Sequence, residues 1–163
     1  MIVICDASPI IALAAVGRLD LVRDLYGDVA VPRAVRAEVA AGPGGSELLA
    51  GTRWLIARDA LRRDVVAELE IEVDSGEAEA IALALELEAD LLVIDDRRGR
   101  MLAARRGIPF VGVVGVLLEA RSRGLLDAVR PVLDDLRDLA VFRLSDSVRK
   151  EALRIAGESL AGD

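Results

Sequence analysis

Five short apolar runs, Ile2–Cys5, Val29–Val31, Trp54–Ala57, Leu91–Ile94 and Phe110–Val111, are separated by amphipathic stretches far too long for hairpin turns. Short strands joined through helices pair in parallel, with right-handed crossovers that bury both faces of the sheet. The spacing therefore predicts an α/β fold with a central parallel sheet of four or five strands flanked by helices. Composition agrees, because hydrophobic residues make up 53% of the chain and aromatics only 2%, leaving Ala, Val, Leu and Ile to build the core. At 163 residues one domain can bury roughly two thirds of its extended surface without a disulfide or metal staple. Residues 1–157 are read as that domain and 158–163 as a short C-terminal tail that frays.

Helix signals fill the intervals. A helix is expected from Pro9, with Ser8 as N-cap and Gly17 as its end, and others over Leu19–Tyr26 and from Pro32 to about Ala41. Gly42-Pro43-Gly44-Gly45 then reads as a flexible loop. Further helices are expected over Leu61–Glu72, Glu77–Glu88, Arg97–Arg106, Gly112–Gly124, Asp127–Asp138 and Ser145–Gly157.

What the chain lacks narrows its chemistry. It has no histidine and one cysteine, Cys5, so the usual zinc sites and the histidine-based triads have no residues to work with. A lone thiol inside a strand behaves as a small hydrophobe and fits a reducing, cytoplasmic setting. No signal peptide and no apolar run near the ~20 residues of a membrane span is present, so no membrane partner is expected. The net charge of −7 argues against a broad electropositive surface, leaving only local contacts to nucleic acid. Those contacts would rest on arginine, since Lys150 is the one lysine and Asn and Gln are absent.

Two of the apolar runs stop on aspartate, Asp6 after the first and Asp95-Asp96 after the fourth. Carboxylates at the carboxyl ends of parallel strands face the crevice where open α/β sheets place ligands. Each has a competing local role, Asp6 as a turn residue and Asp95 or Asp96 as N-cap of the Arg97 helix. Glu38 shares a helix stripe with Ala34, Val35 and Ala41, against the alternative of a solvated helix edge. Glu77 lies on the stripe of Ala80, Ile81 and Ala84, against the alternative of a capping box with Asp74; Glu79, on a wetter face, ranks behind it. If Asp6, Glu38, Glu77 and Asp96 meet, they cannot all stay ionised without cations, and oxygen donors select Mg²⁺ or Mn²⁺. Such a site activates water for phosphodiester cleavage. Ser8 offers a further hydroxyl if it does not cap its helix. Among the arginines that follow Asp96, Arg97 is best placed to hold substrate phosphate, against the alternative of a solvated basic face.

The stretches IVICDASPIIALAAVGRLDLV, VPRAVRAEV, GEAEAIALALELEADLLVIDDRRGR and GIPFVGVVGVLLEARSRGLL together resemble the PIN-domain family, small metal-dependent ribonucleases that include VapC-like toxins. The likeness is closest to a prokaryotic branch with a DASP start and a DDR signature. The resemblance implies a three-layer fold with the first strand beside the one carrying the later aspartate. It implies Asp6, Glu38, Glu77 and Asp96 as the acidic metal-binding and catalytic set, with Asp95 adjacent as a further metal-ligand candidate and Glu79 in reserve for Glu77. It also implies an endoribonuclease using Mg²⁺ or Mn²⁺, the toxin of a type II toxin-antitoxin pair, acting as a homodimer held in check by a small antitoxin. Two alternatives stand beside it. One is a PIN-like module that binds nucleic acid or protein without cutting. The other, a phosphoacceptor or phosphatase-like domain, is disfavoured because Asp6-Ala7-Ser8 lacks paired acids and no lysine follows a later strand.

Overall fold

A computed structural model describes residues 1–139 and 142–160. All five apolar runs form strands: β1 (Val3–Cys5), β2 (Val29–Val31), β3 (Leu55–Ala57), β4 (Leu91–Val93) and β5 (Phe110–Val111). They make one sheet in the order β3-β2-β1-β4-β5, every neighbouring pair parallel. Val3, Ile4 and Cys5 face Leu91, Leu92 and Val93 across the central pair. Apart from the half-buried Leu91 these residues are buried, whereas Ile56 on β3 and Phe110 on β5 remain exposed because those strands are the sheet's edges.

Helices occupy every crossover: α1 (Ala7–Ala15) and α2 (Asp20–Tyr26) before β2, then α3 (Arg33–Ala41) and α4 (Gly45–Gly51) before β3. Next come α5 (Arg63–Leu69) and α6 (Ser75–Glu86) before β4, then α7 (Arg97–Arg105) before β5. Finally α8 (Val113–Ser122), α9 (Arg130–Leu139) and α10 (Asp146–Ala156) close the domain. The alanine-rich α6 lies directly on β1 and β4 and is flanked by α3 and α5. Small side chains let that helix approach the sheet closely, and Ala78, Ala80, Ile81, Ala82, Leu83 and Ala84 are all buried. Because the chain winds outward from β1 to β3 and then returns to β4 on the other side, a crevice opens between the carboxyl ends of β1 and β4.

With no amide side chains available, distant carboxylates satisfy several helix starts. Glu79 accepts from the Ala34 N–H of α3 at 2.8 Å, and Glu86 accepts from the Leu61 and Arg62 N–H groups at the start of α5. Glu158, first residue of the expected tail, accepts from the Val129 and Arg130 N–H groups and so caps α9; residues 161–163 of that tail lie outside the described residues.

Two local expectations are corrected. The first helix begins at Ala7, so Ser8 is an exposed helical residue rather than the N-cap, which falls on Asp6. Proline at the third helical position is harmless because its missing N–H belongs to the unpaired first turn. The Gly42–Gly45 run, expected as a flexible loop, is a turn that ends where α4 begins, at the buried Gly45. Glycine's poor helix propensity hid that start, and packing against α3 overrode it.

Candidate active site

Asp6 leaves β1 with its backbone N–H bound to the Val93 carbonyl of β4 at 3.0 Å, which fixes its side chain at the mouth of the crevice. Although it occupies the N-cap of α1, its carboxylate makes no capping hydrogen bond, and the residue is only 2% exposed. Burial is the largest cause pushing its carboxyl up to about 7; the Ala7 N–H opposes this, and the charges of Asp74, Glu38 and Asp95 add to it.

The start of α6 supplies the next acids. Asp74 accepts from the Glu77 N–H at 2.9 Å, and the Glu77 carboxylate accepts from the Asp74 N–H at 3.3 Å. This is a complete capping box, the local role that the spacing allowed. Yet Glu77 is 7% exposed, and burial, followed by the charges of Asp74, Asp96 and Asp6, pushes its carboxyl up to about 8 against the pull of the Asp74 N–H. A capping residue on an open helix end carries no such load.

Glu38 reaches this group from α3. A methyl on Gly76 would stand 3.1 Å from Glu38 Oε2 and 3.5 Å from Asp74 Oδ1, so both carboxylates border the same glycine. Glu38 is exposed as a residue, but partial burial of its carboxyl and the charge of Asp74 raise it above the usual carboxylate range.

The two aspartates after β4 divide their work. Asp95 Oδ1 accepts from the Val113 N–H at 2.9 Å and caps α8, at a contact so close that a methyl on Gly112 would stand 2.5 Å from that oxygen. Its other oxygen, Oδ2, is buried without a partner, and burial raises the carboxyl against the pull of the Val113 N–H and Arg100. Asp96 is exposed and caps α7 through the Gly99 N–H at 3.0 Å. Together with Asp74, Glu77, Glu70 and Glu72, Asp96 lines a cleft of about 430 Å³, in which Arg98 is the cationic residue.

Charge coupling links Asp6 to Glu38, Asp95 and Glu77, and Glu77 to Asp96, while of these five only Glu77 and Asp96 line the cleft. The fold keeps Glu79 away from them, at the start of α3, where Arg63 also binds it at 2.8 Å. Ser8 and Arg97 are exposed and do not line the cleft. Asp74 and Arg98 are the residues that sequence reasoning passed over. Asp74 was visible as half of a capping box beside Glu77, and Arg98 as one arginine in a run.

The donors suit a hard divalent cation, since all are carboxylate oxygens and Asp95 Oδ2 lacks any hydrogen bond. Among the described residues no three acids are already closed around one point, because Asp74, Glu77, Asp95 and Asp96 each hold a helix start. Like charges this close are relieved only by protons or by a cation.

That repulsion has a measurable sign. Asp6 and Glu77 ionise at about 3.8 and 4.5 as unperturbed groups but at about 7 and about 8 here, so the folded protein binds more protons than the unfolded chain in between. Their contribution is fully present below pH ~4 and is lost as pH rises through about 8. In EDTA the melting temperature should fall between pH 5 and 8. The ion-paired Asp64, held at about 2 chiefly by its hydrogen bond from Arg62, titrates below that window and does not mask the slope. A flat or rising melting profile in EDTA would contradict this picture of the site.

A family model described as a PIN domain matches residues 2–158, nearly the whole chain. No curated protein matches it. Among the described residues no helix is long and apolar enough to cross a membrane.

Proposed function

We propose, from the premise that this chain belongs to the PIN-domain family, that it is a metal-dependent endoribonuclease hydrolysing RNA phosphodiester bonds. PIN domains are generally nucleases and typically depend on divalent metal. What supports the reading here is the charge coupling of Asp6 with Glu38 and Glu77, and of Glu77 with Asp96, near the carboxyl ends of β1 and β4, with two of these carboxyls held up at about 7 and about 8.

Mg²⁺ or Mn²⁺ bound among Asp6, Glu38, Glu77 and Asp96, with Asp95 alongside, would supply an activated water and neutralise charge at the phosphate. Asp6, buried and held by the sheet, is the rigid member of that set. Glu77 has one oxygen in the capping box and the other available to a ligand. Asp95, tied to α8, fixes the end of β4 and keeps Asp96 at the lip of the cleft. Because ligating carboxylates must be ionised, cation binding should release protons near neutral pH.

The acidic balance supports reading the chain as the toxin of a type II pair, with a small basic antitoxin segment as the complementary partner. A homodimer is supported by the apolar groove between α8 and α10, lined by Val114, Leu118, Val148, Ala152 and Ile155.

Calorimetric titration with Mn²⁺ and a cleavage assay on single-stranded RNA test the nuclease reading together. Expected are Mn²⁺ binding with proton release at pH 6.5, cleavage abolished by EDTA, and loss of both in Asp96→Asn. Mn²⁺ binding absent and RNA left intact would instead favour a module that binds without cutting.

A further inference from the structure

We infer that Arg98 is the residue that grips an RNA phosphate beside the acidic cluster, a step that rests on the nuclease reading above. The arginines of the segment after Asp96 have been sorted by the fold into different tasks. Arg105 is paired with Glu72, and Arg106 with Glu68 at 2.7 Å, so the end of α7 is tied to α5 and to the segment that follows it. That segment forms one wall of the cleft, because Glu70, Ile71 and Glu72 line it. Arg97, at the first position of α7, is exposed and is not among the residues that line the cleft.

Arg98 alone among the cleft's lining residues is cationic. It shares that space with five carboxylates, those of Glu70, Glu72, Asp74, Glu77 and Asp96, and forms an ion pair with none of them. An arginine whose purpose was to neutralise the cleft would lie against one of these acids within ion-pair distance. A guanidinium left open in an acidic cleft keeps both prongs for an anion that accepts two parallel hydrogen bonds, as the two non-bridging oxygens of a phosphodiester do. The arrangement also resolves an electrostatic difficulty. A chain of net charge −7 has no broad basic surface to hold RNA, so attraction has to come from single, well-placed cations at the site itself.

The test compares Arg98→Ala, Arg98→Lys and Arg97→Ala with the unaltered protein, using single-stranded RNA cleavage in Mn²⁺ over a range of KCl and Mn²⁺ titration by calorimetry. Arg98→Ala should raise KM about tenfold with Mn²⁺ affinity unchanged, and the slope of log affinity against log salt should fall by about 0.7. Arg98→Lys should restore most of the salt slope but less of the affinity, since an ammonium lacks the fork. A structural role for Arg98 would leave the salt slope untouched. An unchanged KM and slope in Arg98→Ala, or the same loss in Arg97→Ala alone, would overturn the assignment while the nuclease reading stood. If the unaltered protein neither binds nor cleaves RNA, both fall together.

Discussion

Replacing Asp6 by asparagine should abolish metal-stimulated RNA cleavage while making the metal-free protein more stable at pH 8. The two effects have one cause. Asp6 is 2% exposed, makes no capping hydrogen bond, and faces the charges of Asp74, Glu38 and Asp95, so ionising it costs the fold free energy that an amide does not. Its carboxyl, near 3.8 when unperturbed, stands at about 7, and at pH 8 the native state carries that unfavourable charge. Asparagine should therefore add up to about 4 kcal/mol at pH 8 in EDTA and nothing near pH 4, where the carboxyl is already protonated. The same change removes the rigid, sheet-anchored oxygen donor, and cleavage should fall by more than about a hundredfold. Chemical denaturation at the two pH values, with a cleavage assay on the same preparations, measures both. A variant destabilised equally at pH 4 and pH 8 would mean that Asp6 serves packing and not charge.

Gly45→Ala should be the most damaging single methyl addition in the chain. A methyl there would stand 1.8 Å from the Val39 carbonyl oxygen and 2.7 Å from the Val39 carbonyl carbon, both backbone atoms of α3 with no rotamer to yield. The α3–α4 junction would have to open, at about 3 kcal/mol, which for a domain of this size is a drop in melting temperature of about 6–12 °C. Val39 is buried and adjoins Glu38, so the displacement should also weaken metal binding. Gly51→Ala, in the same helix, adds its methyl to open space and should be neutral or stabilising by up to about 1 kcal/mol. Thermal melts of the pair decide the matter, and equal behaviour of the two variants would show that α3 and α4 are not packed as described.

The strands were legible because their signal is local. Val29–Val31 and Phe110–Val111 read directly from apolar runs bounded by turn residues, and the long intervals between runs dictated parallel pairing. The helix Gly45–Gly51 was not legible, since it begins and ends on glycine directly after Gly44, and packing against α3 and the core decides it. Ser8 failed as an N-cap for the opposite reason: its local signal was good, but the Asp6 N–H bond to Val93 pulled the helix start forward.

In the site, sequence alone determined that acids would stand at the ends of β1 and β4, because a strand's last residue is fixed by the pattern that precedes it. Which carboxylates stay available to a ligand was decided only in three dimensions. Glu77 and Glu79 sit two residues apart on one helix, yet Glu79 is consumed by the Ala34 N–H and Arg63 while Glu77 faces Asp6 and Asp96. Asp95 and Asp96 are neighbours, and the N–H of Val113, 18 residues on, occupies the first of them. A helix start takes its hydrogen-bond acceptor from whatever the fold brings near, and that partner is set by packing between distant segments, not by the order of residues along the chain.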